Sequence, residues 1–317
     1  MTIPSTTQAV SRVRHPVLID CDPGIDDAFA LALAIRSPEL DIAGVTVVAG
    51  NQTLNHVARN AANLVSFFGR PDIAVVTGAE RPLQRDQITA NSHGVDGLGG
   101  RRLAPSTNAP RPGGVDFLVD QILSHPTGTL SVIAIGPLTN LALALQEQPS
   151  IATHVRQVII MGGAGNAGNM TPVAEFNFFA DPEAADVVLQ AGWPIVLLPL
   201  NLTWQSAVTH TVAQRFAAAP GDRAQALNDW LHFYSEGEFT PGEDGPALHD
   251  AVAVAYAIDP HLVRTVPAFV AVETKGTWTY GESVIDTESS FGHPANVALG
   301  VELDRDKFWQ LMLRTAQ

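Results

Sequence analysis

Short apolar runs alternate along the chain with longer stretches whose apolar positions recur at helical spacing. The runs at 17–19, 41–48, 73–76, 130–135, 158–161 and 195–200 are short, continuous and bounded by turn residues, which predicts buried strands. Between them, 25–35, 53–68 and 181–190 carry a helical period, and further helices are expected before 130 and after 140. Repeated alternation of buried strand and helix predicts an open, mainly parallel α/β sheet with a Rossmann-like core, flanked on both faces by helices. From about residue 211 the rhythm changes to helices at 212–218, 224–236 and 251–258. A β-rich tail is expected over 268–301, where Thr, Tyr and Trp alternate around Gly276 and Gly281. Residues 78–112 are rich in Gly, Pro and Asn, and so long an irregular segment in a compact fold is more often functional than idle. No linker or internal repeat divides the chain, so the pattern predicts a loose leader over 1–14 and a single domain over 15–317.

Polar residues gather where the strands end. The stretch Asp20-Cys21-Asp22-Pro23-Gly24-Ile25-Asp26-Asp27 places four carboxylates in eight positions, directly after the apolar run 17–19. One or two acids there would serve as helix caps and complement the helix dipole. Four, with no Lys or Arg among them, repel one another and raise one another's pKa unless a cation sits between them. An oxygen-ligated hard cation accounts for the crowding, and ligands of open α/β sheets collect beyond the carboxyl ends of strands.

Composition narrows the choice. Hydrophobic residues make up 46% and charged residues 16% of 317, enough for a large core and against disorder. A formal net charge of −14 argues against nucleic-acid binding by phosphate neutralisation. The single cysteine, Cys21, excludes an internal disulfide and fits a reducing cytoplasm. Residues 1–15 have no apolar signal core and no run reaches membrane-spanning length, so no membrane partner is expected.

Other polar groups fall at comparable places: Asn51 after the second strand, Asn169, the Glu175-Phe176-Asn177 run, and His249-Asp250 at the start of a helix. Each has a plain alternative, a turn residue, a surface acid or a cap. Together they supply many Asp and Asn oxygens and no Lys or Arg, which suits a neutral, hydroxyl-rich ligand on a hard cation and not a phosphate.

The segment 20–27 resembles the signature of the inosine–uridine preferring nucleoside hydrolases. The similarity continues through Val48-Ala49-Gly50-Asn51, Gly136-Pro137-Leu138-Thr139-Asn140, Met161-Gly162-Gly163, Gly168-Asn169, the run from Thr171 to Asn177, Asp181-Pro182-Glu183-Ala184 and His249-Asp250. The tail residues Val272-Glu273-Thr274-Lys275-Gly276 and Asp286 also fit. That resemblance implies a homodimer or homotetramer that hydrolyses the N-glycosidic bond of ribonucleosides to ribose and free base. It implies Ca²⁺ held by Asp22, Asp27, Asp250 and the backbone carbonyl of Ile135. It implies ribose binding by Asp26, Asn51, Asn169, Glu175 and Asn177, with Met161 in the same substrate-binding set and Asp20 orienting the loop from behind. Asp22 would be the general base and His249 the acid for the departing base, with an oxocarbenium-like transition state. His93, in the long irregular segment, is a second candidate for contact with the base. Where the family commonly has an acid in a Pro-Leu-Asp-Val-Thr stretch, this chain has Pro199-Leu200-Asn201-Leu202-Thr203. Residues 229–245, including His232, Phe233 and Tyr234, are expected near the base.

Two alternatives stand beside this reading. A phosphohydrolase with an Asp-x-Asp pair at Asp20 and Asp22 wants a hydroxyl residue where Gly24 stands, and basic residues for phosphate. A non-catalytic Ca²⁺-dependent ribose or nucleoside binder would share the whole ribose set and differ only in failing to release the base.

Overall fold

The computed structural model describes residues 14–237 and 245–316. Most of the expected leader, and residues 238–244 of the segment assigned to the base, lie outside the described residues.

The first half alternates strand and helix: β1 (His15–Cys21), α1 (Ile25–Arg36), β2 (Leu40–Val47), α2 (Leu54–Phe67) and β3 (Val75–Thr77), then β4 (Arg111–Pro112), α3 (Gly114–Ser124) and β5 (Ser131–Ala134). There follow α4 (Thr139–Glu147), α5 (Ile151–His154), β6 (Gln157–Met161), α6 (Phe176–Ala180), α7 (Pro182–Leu189), β7 (Ile195–Leu198) and α8 (Leu200–Thr203). After a 3₁₀ turn at Trp204–Ser206 come α9 (His210–Ala218), α10 (Asp222–Gly237) and α11 (His249–Ile258). The chain closes with β8 (Val263–Val272), β9 (Ser283–Asp286), β10 (Val297–Leu303) and α12 (Arg305–Arg314).

The strands form one ten-stranded sheet in the order β4-β3-β2-β1-β5-β6-β7-β10-β8-β9. Pairing is parallel from β4 to β10 and antiparallel through β8 and β9. Because β1 is flanked by β2 on one side and β5 on the other, the winding direction reverses there. The carboxyl end of β1 therefore opens into a crevice of the kind that binds ligands in doubly wound sheets.

Helix α1 is buried along ten consecutive residues, Ile25 to Ala34. An element apolar on every side has to be enclosed. It packs against α11, another helix rich in small residues, whose Ala251, Ala253 and Ala255 are fully buried like Ala28, Ala30 and Ala32 of α1. Close approach of these two helices holds the acidic start of α1 beside the acidic start of α11. The opposite sheet face is covered by α3, α4 and α7 through Leu118, Leu141, Leu145 and Val188.

Three local expectations change. The alternating stretch around Gly276 and Gly281 is a turn between β8 and β9, with Gly281 at φ +84° and Trp278 89% exposed. Tyr280 packs on Phe179 and hydrogen-bonds Glu183 while Trp278 stands in solvent, so the alternation does not mark one face of a strand. The terminal helix α12 is an element the sequence reading lacked, although Phe308, Trp309, Met312 and Leu313 form its buried stripe. Residues Phe176–Ala180 are a further short helix, α6.

Candidate active site

At the exit of β1 the chain turns at Asp22-Pro23-Gly24 and enters α1. Asp27 closes this turn: its carboxylate accepts the N–H of Gly24 at 2.9 Å and of Asp22 at 3.3 Å. Asp22 is fully buried, and one of its oxygens, Oδ2, accepts the backbone N–H of Asn51 at 2.6 Å. Its other oxygen, Oδ1, receives no donor from the protein. Glycine is needed on that side, since a Cβ at Gly136 would come within 2.7 Å of Oδ1. Asp20 points the other way, accepting from Thr46 Oγ1 and from Asn140 Nδ2.

The first turn of α11 brings Asp250 to this place. One oxygen each of Asp26, Asp27 and Asp250 lie within 4.8 Å of one another, all buried. Among the described residues, no Lys or Arg lines the adjoining cavity. Burial, reinforced by the neighbouring carboxylates, pushes Asp22 and Asp250 well above the usual carboxylate range. Burial also raises Asp27 to about 6, against the lowering effect of its N–H donors. Carboxylates held this close in a dry site remain ionised together only when a cation joins them.

Opposite stand groups from the ends of β5 and β6. Glu175 caps α6, accepting the N–H groups of Asn177 (2.8 Å), Gly163 (2.9 Å) and Phe178 (3.1 Å). Burial raises it to about 7 despite these donors. Asn177 donates through Nδ2 to the carbonyls of Ile135 (3.0 Å) and Met161 (3.2 Å). Asn169 accepts the N–H of Phe176 at 2.9 Å.

Two buried histidines complete the wall. His93 accepts the Ile25 N–H through Nδ1 at 3.0 Å and stacks on Tyr234 with centroids 5.3 Å apart. Its Nε2 lies 4.0 Å from Asp26 Oδ1. His249 Nδ1 lies 2.7 Å from Thr203 Oγ1. Burial lowers His93 to about 3 and His249 to about 4, so both rings are neutral at physiological pH.

These groups surround one cavity of about 250 Å³. Among the residues singled out from the sequence, Asp26, Asn51, His93, Ile135, Met161, Asn169, Glu175, Asn177, His249 and Asp250 line it. Asp22 and Asp27 lie behind it. Among the described residues the carboxylates that come together are Asp26, Asp27 and Asp250, so Asp26 stands with the acids expected to hold metal as well as on the cavity wall, and Asp22 sits beside that trio. Tyr234, Met170, Phe176 and the backbone run 89–92 also line the cavity. Sequence reading reached Tyr234 only as part of the segment 229–245, and Thr203 only as the last residue of the stretch 199–203; its contact with His249 depends on where α8 meets α11. Asn201 is not on the wall; its side chain accepts the Gly165 N–H at 3.0 Å.

A mainly parallel sheet with an acid-rich cleft at its carboxyl edge, lined among the described residues by no Lys or Arg, defines an α/β protein whose site suits a small polar ligand. Residues 17–310 match the family profile described as inosine-uridine preferring nucleoside hydrolase, and the chain belongs to that family. It is 38% identical over 305 residues to a pyrimidine-specific ribonucleoside hydrolase, RihA, of Salmonella enteritidis, spanning 95% of this chain and 98% of that one. It is 37% identical over 302 residues to the pyrimidine-specific ribonucleoside hydrolase RihB of Escherichia coli, spanning 94% and 96%. Among solved structures, a purine-preferring ribonucleoside hydrolase from Gardnerella vaginalis superposes with a TM-score of 0.88 at 29% identity, over 95% and 98% of the chains. A plant nucleoside hydrolase superposes at 0.86 with 31% identity, over 96% and 99%.

Proposed function

We propose that this chain, with 15–317 as one catalytic domain, hydrolyses the N-glycosidic bond of ribonucleosides to ribose and free base, dependent on Ca²⁺. The observation that carries the reading is the buried acid group beside the cavity, which among the described residues has no cationic side chain and leaves Asp22 Oδ1 without a protein donor. An oxygen-only, strongly anionic donor set fits a hard cation of Ca²⁺ type. Asp22, Asp27, Asp250 and the Ile135 carbonyl would hold it, with Asp26 alongside. When bound, Ca²⁺ acidifies a water and anchors the ribose diol.

The chain's own groups do the rest. Asp22 takes the proton of the attacking water as general base. Asp26, Asn51, Asn169, Glu175 and Asn177 hold the ribose hydroxyls, with Met161 against the sugar. Their oxygens also face the positive charge that develops on the sugar as the bond to the base breaks. His249 donates to the departing base, and His93 with Tyr234 borders the space beside it. Relatives named pyrimidine-specific make uridine and cytidine the first substrates to assay. The reading takes the working form to be a cytoplasmic homo-oligomer, a dimer or tetramer; among the described residues no helix is long and apolar enough to cross a membrane.

The test is release of ribose from uridine, cytidine, inosine and adenosine, after chelation and after Ca²⁺ is returned. Ribose release lost with chelator and restored by Ca²⁺ is the expected result. Nucleoside binding without release would replace the hydrolase with a nucleoside-binding protein.

A further inference from the structure

His249 enters the cavity from the first turn of α11, and its Nδ1 is turned away toward α8. The group it meets there is the Thr203 hydroxyl, at 2.7 Å, on a residue with no exposed surface. An imidazole that gives a proton from Nε2 while neutral must hold Nδ1 as an acceptor, so the partner of Nδ1 has to donate. A carboxylate or carbonyl at that point would select the opposite tautomer. A hydroxyl can play either part, and its surroundings decide which.

Among the described residues, the other acceptor within reach of the Thr203 hydroxyl is the Leu200 carbonyl, 3.5 Å away and at the limit of a hydrogen bond. That carbonyl already receives the Trp204 N–H. The hydroxyl proton is therefore better placed on His249 Nδ1 than on the main chain of its own helix. Ser206 braces the arrangement: its Oγ donates to the Thr203 carbonyl at 2.6 Å and accepts the N–H of Leu248 at 3.0 Å. The residue before His249 and the backbone of Thr203 are thus tied through one side chain. A β-bridge between Ala207 and Ala247 extends the tie.

We propose that Thr203 is a positioning residue that donates its hydroxyl proton to His249 Nδ1, fixing the imidazole as the Nε2–H tautomer aimed at the departing base. This deepens the reading of His249 given above and rests on it. Thr203 touches neither base nor ribose; it acts through the ring, and Ser206 acts through Thr203 and Leu248.

The test compares Thr203→Val, which keeps the shape and removes the hydroxyl, with Thr203→Ser, which keeps the hydroxyl. ¹⁵N-histidine spectra of the full-length protein, with the His249 resonances identified by their loss in His249→Gln, read the tautomer directly. The expected result is an unprotonated Nδ1 and a protonated Nε2 in the wild type and in Thr203→Ser. In Thr203→Val the Nδ1–H form should gain population. In turnover, Thr203→Val should lower kcat on uridine about tenfold, the scale of one lost hydrogen bond in a dry site, with little change in KM. Thr203→Ser should restore most of it. In a His249→Gln background Thr203→Val should have no further effect.

A protonated Nδ1 in the wild type would overturn the assignment, and so would a Thr203→Val loss that persists in His249→Gln. If the tautomer responds as expected but no enzyme form releases base, the positioning stands and the role of His249 as acid falls.

Discussion

The backbone N–H of Ile25, the first residue of α1, donates to Nδ1 of His93 from the long irregular segment, at 3.0 Å. The ring thereby covers a helix end that would otherwise leave an orphan donor, and it holds its own proton on Nε2, toward Asp26. One side chain ties segment 78–112 to the helix that carries two of the site's acids. His93→Ala should therefore cost stability as well as activity, about 2 kcal/mol from the lost cap and the emptied ring space together. Denaturant unfolding at fixed Ca²⁺ measures the first and KM for uridine the second. Unchanged stability would leave His93 as a cavity-wall residue only.

Asp22 receives the Asn51 N–H on one oxygen and keeps the other for the cavity floor. Asp22→Ala should lower kcat by about 10³-fold or more if, as proposed, Asp22 is both the general base and an acid of the cation set. Gly136→Ala should also impair turnover, because its Cβ would stand 2.7 Å from Asp22 Oδ1 and push the carboxylate aside. Near-normal turnover of Asp22→Ala would remove the residue from the mechanism.

His249→Ala should reduce hydrolysis of uridine by about 10²-fold while sparing p-nitrophenyl riboside, whose leaving group needs no proton. Equal losses on both substrates would show that the ring serves structure rather than proton donation.

Stability should depend on pH in a way that Ca²⁺ reverses. Burial raises Glu175 and Asp20 to about 7 in the folded chain, whereas unfolded carboxylates titrate near about 4. Asp22 and Asp250 are raised by burial in the same direction. Between the unfolded and folded values the cation-free native state holds protons that the unfolded chain has released, so stability falls as pH rises through that window. His93 and His249, lowered to about 3 and about 4, work oppositely, but only below their unfolded value of about 6.5. From pH 6.5 to 8, then, the chelated protein should lose thermal stability, and added Ca²⁺ should raise Tm most at the upper end. A flat Tm over this range would mean that these carboxylates are not desolvated as a group.

Asn201 fixes the turn after β6 by accepting the Gly165 N–H, a task a carboxylate oxygen performs equally well. Asn201→Asp should leave kcat and Tm nearly unchanged. Asn201→Leu should cost no more than about 1 kcal/mol, the net worth of one hydrogen bond, because the exposed Gly165 N–H turns to water instead. Paired melting curves of the two variants decide it, and a large effect of Asn201→Asp would assign this position a charge-dependent role.

Much of this protein is set locally and so is legible in the chain itself. Apolar runs such as 158–161, bounded by Gly162-Gly163, can only be buried strands, and their alternation with helices dictates a covered parallel sheet. Four acids in eight positions after β1, without a basic neighbour, already state an electrostatic problem whose solution is a cation. Other features exist only across distance. Asp250 joins Asp26 and Asp27, 224 and 223 positions away in the chain, because small residues let α11 press against α1. Thr203 faces His249 because a serine ties the two backbones together, and His93 caps α1 because an irregular segment folds back over it. The Thr, Tyr and Trp alternation near Gly276 is a turn because the chain reverses there between β8 and β9, which pair antiparallel. Residue types and periods fix which elements form and which charges need company. Which side chains meet is decided by packing between elements far apart in sequence, and no local pattern records it.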